Sequence, residues 1–122
     1  MIKLLGQTRR ADITFRRNGQ ISITARVSRI LKIVPGDSIN IAYDNGEYLL
    51  FATHHANSIG RYMARCYPSK KSGNNYCANS IKLCRAMLSV VNTTAEKVAF
   101  MVGEEIVRGG IVYIPIITAH PL

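Results

Sequence analysis

The chain has 122 residues, with 16 Lys and Arg against 7 Asp and Glu, and so a formal charge of +9. A hydrophobic fraction of 48% excludes intrinsic disorder and collagen-like repetition. No apolar run reaches the roughly 20 residues that span a bilayer. A chain of this length removes about two-thirds of its unfolded surface from water, enough for one core, so residues 1–122 read as a single domain.

Cys66, Cys77 and Cys84 are odd in number and form no Cys-x-x-Cys pair, so reduced thiols are expected rather than a disulfide framework or a zinc knuckle. Met1–Gly6 is too short for the apolar region of a signal peptide, which points to a cytoplasmic protein without a membrane partner. The positive surplus lies in the first two-thirds. Residues 53–76 carry Arg61, Arg65, Lys70 and Lys71 and no acid. Such a field concentrates polyanions.

Taken in order, Ile13 and Phe15 alternate with Thr14 and Arg16 as a half-buried strand. Asn18-Gly19 predicts a two-residue type I′ turn, and Ile21 and Ile23 a return strand. Val27, Ile30, Leu31 and Val34 then mark one face of a short helix, which Pro35-Gly36 would end. Ile39, Ile41 and Tyr43 form a third strand, Asp44-Asn45-Gly46 a second hairpin turn, and Glu47–Thr53 a fourth strand.

The second half repeats the order. Arg61–Tyr67 predicts a strand, Pro68–Gly73 a polar loop and Asn75–Ala78 a return. Ser80 is a candidate N-cap for a helix with Ile81, Cys84, Leu88 and Val91 on its apolar face, broken at Asn92-Thr93-Thr94. Val98, Phe100 and Val102 alternate as a strand, Gly103–Gly110 turns, and Ile111–Ile117 forms a last strand that Pro115 assigns to an edge. The fold class is therefore α+β, mostly β. It consists of two tandem ββαββ units at 11–53 and 60–117 with two short helices, joined by a basic segment at 54–60.

Residues 18–41 resemble the AbrB-like swapped-hairpin family through Gly19, Ile21, Ile23, Val27, Arg29, Leu31, Ile33, Gly36, Asp37, Ile39 and Ile41. That resemblance implies a swapped-hairpin β-barrel and the duplex-DNA binding of transition-state regulators and antitoxins. This chain departs from the family pattern at Gln20, Thr24 and Ser28, where Arg, Pro and Arg are usual. Only Arg29 carries over by position. A tandem repeat would make one polypeptide the counterpart of the family's dimer, and further self-association as a homodimer is compatible with it.

The remaining cations stand on their own geometry. Arg26, Arg29 and Lys32 project opposite the first helix's apolar stripe without acids at i±4, which favours a polyanion contact over a merely solvated face. Lys82 and Arg85 form a thinner face on the second helix. Arg16 and Arg17 flank the first hairpin turn, and Arg9 and Arg10 precede it; edge-strand protection is the bland alternative. Arg61, Tyr62, Arg65, Tyr67, Lys70, Lys71 and Tyr76 interleave cation and aromatic, as single-strand platforms do, although such tyrosines also pack cores.

His54 and His55 point to opposite faces of an extended chain, a poor chelate, so neither a metal nor a cofactor is expected. No P-loop and no Gly-x-Ser-x-Gly occurs, and none of the nine glycines precedes Ser, so an enzyme is not expected. The expectation is a regulator or antitoxin-like binder of duplex DNA that mainly meets phosphates. Two alternatives are a structural or interaction module with an acidic protein partner, and an RNA or single-strand binder.

Overall fold

The computed structural model describes residues 11–54, 64–70, 74–119 and 121–122. Arg9, Arg10, His55, Arg61, Tyr62, Lys71 and most of the segment 54–60 lie outside the described residues. The elements are β1 (Ile13–Arg16), β2 (Gln20–Ile23), α1 (Ala25–Leu31), β3 (Ser38–Asp44), β4 (Glu47–Thr53), β5 (Ala64–Arg65), β6 (Tyr67–Pro68), β7 (Tyr76–Asn79), α2 (Ile81–Val90), β8 (Lys97–Phe100), β9 (Ile106–Arg108) and β10 (Ile111–Ile116). The chain is α+β and mostly strand. No helix among the described residues is long and apolar enough to cross a membrane.

The strands form two five-stranded sheets, ordered β6-β7-β2-β1-β8 and β5-β3-β4-β10-β9, with every named pairing antiparallel. The closed barrel expected from the sequence is absent among the described residues, because the ladder is interrupted at two places. Cys66, between β5 and β6, donates to the Asp37 carbonyl at 2.7 Å and accepts from Gly36 N–H at 2.8 Å. The strand therefore leaves one sheet there and enters the other. At the opposite side Val102 bridges Ile116, and Gly103 donates to the Pro115 carbonyl at 2.8 Å. The return bond would need an N–H that proline lacks, so this pairing stops.

Several local expectations are corrected. The first hairpin has a three-residue loop, Arg17–Gly19, closed by Gly19 N–H to the Arg16 carbonyl at 2.9 Å; Gly19 has φ +101° while Asn18 stays out of the left-handed region. It is a turn followed by a glycine bulge rather than a type I′ turn. Helix α1 ends at Leu31, before Pro35-Gly36. Lys32 takes φ 56°, its N–H bonds the Arg29 carbonyl, and Ile33 N–H reaches back to Ser28 at 2.9 Å. This Schellman closure puts Ile33 in the core and leaves Val34 49% exposed. Pro35-Gly36 makes a separate turn, with Gly36 at φ +90° and Asp37 N–H on the Val34 carbonyl.

In the second half, the expected strand through Tyr67 is two short pieces, β5 and β6, and Pro68 belongs to β6 rather than to the loop. The predicted turn 103–110 contains β9, since Gly109-Gly110 alone, at φ 57° and 79°, reverses the chain. Strand β10 lies between β4 and β9 rather than at an edge.

Other expectations hold. Asn45 and Gly46, both at positive φ, link Asp44 to Glu47. Ser80 Oγ accepts from Leu83 N–H at 3.1 Å, capping α2. Asn92, at φ 52°, ends that helix with Thr93 N–H on Leu88, the same closure as in α1.

One hydrophobic core draws on both halves: Phe15, Ile21, Val27 and Ile39 pack with Cys66, Met87, Phe100 and Ile114. The helix starts are also cross-tied. Ala25 N–H is capped by Asn75 Oδ1 at 2.9 Å, and Ser80 N–H bonds the Gly19 carbonyl at 2.8 Å.

Candidate nucleic-acid interface

Alternation sends Ile13, Phe15, Ile21 and Ile23 into the core, so Thr14, Arg16, Gln20 and Ser22 share the outer face of the first sheet. Register carries that face across to Cys77 and Tyr67 on one side and to Ala99 and Lys97 on the other. A groove of about 690 Å³ lies over it, walled by Arg16, Tyr67, Lys70, Asn75 and Tyr76. A second depression of about 400 Å³ is lined by Arg29, Lys32, Asn74 and Tyr76. The two adjoin: they share Tyr76, and Thr24 and Asn75 of one are chain neighbours of Ala25 and Asn74 of the other. Four cations thus border two adjoining hollows, and no carboxylate lines either of them among the described residues.

Each cation arrives by a different route. Arg16 is on β1, and its guanidinium donates to Ser22 Oγ at 2.8 Å, which holds the group along the sheet face. Arg29 is an exposed residue of the last turn of α1. Lys32 is exposed on the left-handed residue after the helix, so the Schellman closure rather than helix periodicity aims it. Lys70 follows β6, anchored by Ser69 N–H on the Asn75 carbonyl at 2.8 Å.

Other expected site residues go elsewhere. Arg26 meets both carboxylate oxygens of buried Asp12 at 3.1 Å, and Asp12 also accepts from Val102 N–H at 3.0 Å. The expectation that no acid accompanies the α1 cations fails for Arg26, whose partner stands just before β1. Arg17 donates to the carbonyls of Thr93 and Ala95 at 2.9–3.1 Å, clamping the chain that leaves α2. Arg65, Lys82 and Arg85 are exposed and line neither groove. Arg61 and Lys71 lie outside the described residues.

Lys97 was missed. It stands directly opposite Arg16 in the β1–β8 register, a like-charge pair on one sheet face. The alternation of β8 signals an outward Lys97, but only the topology sets β8 beside β1.

His54 pairs with Asp37, Nδ1 to Oδ2 at 2.6 Å, and Asp37 also accepts from Val34 N–H at 2.9 Å. Burial pushes the Cys66 thiol up to about 12, assisted by the Asp37 charge, and raises the Cys84 thiol as well. These sulfurs are packed thiols, not nucleophiles. No protein-family model, curated protein or solved structure matches this chain.

Proposed function

We propose that the chain binds duplex DNA as a one-polypeptide counterpart of a swapped-hairpin dimer, gripping phosphates with Arg16, Arg29, Lys32, Lys70 and Lys97. The observation that carries this reading is the pair of hollows that meet at Tyr76, bordered by cations and lined by no carboxylate among the described residues. Like charges gathered without counter-charges repel one another; a bound polyanion removes that cost and releases condensed counterions.

Topology supports the finer fold reading. Strand β1 of the first unit pairs with β8 of the second, while β3 of the first pairs with β5 of the second. The two units meet at β2–β7 and β4–β10. This reciprocal exchange is the one expected of two interleaved ββαββ units, with β9 as an insertion before the last strand. The resemblance at residues 18–41 belongs to the same kind of fold and implies a duplex partner.

Five neutralised phosphates give a log–log salt slope of about −4.5. Fluorescence anisotropy on a duplex, titrated with salt, tests this. Arg29→Ala with Lys70→Ala is expected to flatten the slope by about 2 and to weaken binding equally across sequences. Arg65→Ala with Arg85→Ala is expected to leave the slope within about 1 of wild type. A slope near zero, or equal losses from both pairs, overturns the reading. Preference for a single strand over the duplex would transfer the site to stacking on Tyr67, which is 52% exposed in the groove.

A further inference from the structure

We propose that β9 is a self-association edge, to which a second copy of this chain adds its own β9 antiparallel across a twofold axis. Strand β9 ends the second sheet and pairs only with β10 among the described residues. The two-residue Gly109-Gly110 turn makes Arg108–Ile111 the closing, hydrogen-bonded pair of the hairpin. Alternation then turns the backbone groups of Arg108 and Ile106 toward β10 and those of Val107 outward, while Glu104 and Glu105 together span the single position of Ile114 as a bulge. The free edge is also apolar at its middle, where Val107 is 64% exposed.

Charge order selects the occupant. The segment reads Glu104-Glu105-Ile106-Val107-Arg108, acids at one end and a cation at the other, and an antiparallel copy of itself is its electrostatic complement. A twofold axis perpendicular to the sheet keeps opposed residues on one face, which restricts the register. Centred on Ile106, it brings the acidic Glu104-Glu105 end of each copy beside the partner's Arg108, and it leaves the outward groups of Val107 facing the partner's edge. Centred on Val107, it sets both acids opposite glycines and compensates nothing. Glu104 and Glu105 have no ion-pair partner among the described residues. Arg108 holds Asp44 at 2.7 Å, yet both are more than half exposed, and a guanidinium has donors for two carboxylates.

Sedimentation velocity on the full chain across a concentration series tests the proposal. Wild type is expected to move from monomer to dimer. Val107→Pro removes only an outward N–H, at an edge where proline is tolerated, and is expected to weaken association by about tenfold or more. Glu104→Arg and Arg108→Glu are each expected to be monomeric alone, by like-charge opposition. Their equimolar mixture is expected to restore a dimer, because both opposed pairs are again complementary. Wild type that stays monomeric throughout, a dimer indifferent to Val107→Pro, or a mixture that fails to associate overturns the proposal.

Discussion

At the residue scale, similar side chains have been given opposite duties by their neighbours. Arg16 and Arg17 are adjacent, yet one lies along a groove and the other clamps the carbonyls of Thr93 and Ala95. Gly19 is held to its identity twice: its φ is +101°, and a Cβ there would stand 2.7 Å from Ile81 Cγ1. Cys66 makes a pH prediction possible. Its folded value of about 12 lies above the ordinary thiol value of 9.0, so the folded state binds the proton more tightly. That contribution is complete below pH 9.0 and is lost as pH rises toward about 12. Urea titrations are expected to show stability falling across this window in wild type and less steeply in Cys66→Ala. Equal slopes would disprove the linkage.

At the element scale, how a helix stops matters as much as where it lies. Both helices close with the same reach-back bonds, but α2 uses Asn92 at the left-handed position while α1 uses Lys32. A lysine there carries a Cβ clash of about 1–2 kcal/mol that glycine avoids, partly offset by glycine's greater freedom when unfolded. Lys32→Gly is therefore expected to raise stability by about 0.5–1 kcal/mol while lowering the magnitude of the DNA salt slope by about 0.9. Thermal melts and anisotropy read the two effects separately, and a variant that loses both sinks the assignment of Lys32. The start of α1 is capped differently: buried Thr24 Oγ1 finds no partner among the described residues, and Asn75 supplies the cap from the other half.

At the scale of the whole molecule, the two halves depend on one another. Phe15 is flanked in its sheet by Ile21 of its own half and Val98 of the other, and Ile39 faces Ala64 across β3–β5. Cutting at residue 57 removes β5–β10 and α2 from the first half and exposes the core cluster. Fragments 1–57 and 58–122 are each expected not to fold as monomers, and to regain cooperative melting when mixed. Circular dichroism with sedimentation decides it; a folded monomeric 1–57 would show that the interleaving is dispensable.

Strand and helix identities were legible in the sequence because they follow local rules: alternation at Ile13 and Phe15, a hydroxyl cap at Ser80, positive φ at Asn45-Gly46. The order of elements in the first half, β1 and β2, then α1, then β3 and β4, followed from the same patterns, whereas β9 and the break between β5 and β6 did not. Tertiary structure alone decided which cations remain available. Asp12 reaches Arg26 across 14 positions, and the Ala95 carbonyl reaches Arg17 across 78, distances over which no local periodicity operates. It also decided that Tyr76 joins two grooves, that Lys97 faces Arg16, and that Cys66 moves its strand from one sheet to the other. Side-chain direction is a local property of the backbone, whereas the partner at the end of that direction is chosen by how distant segments pack.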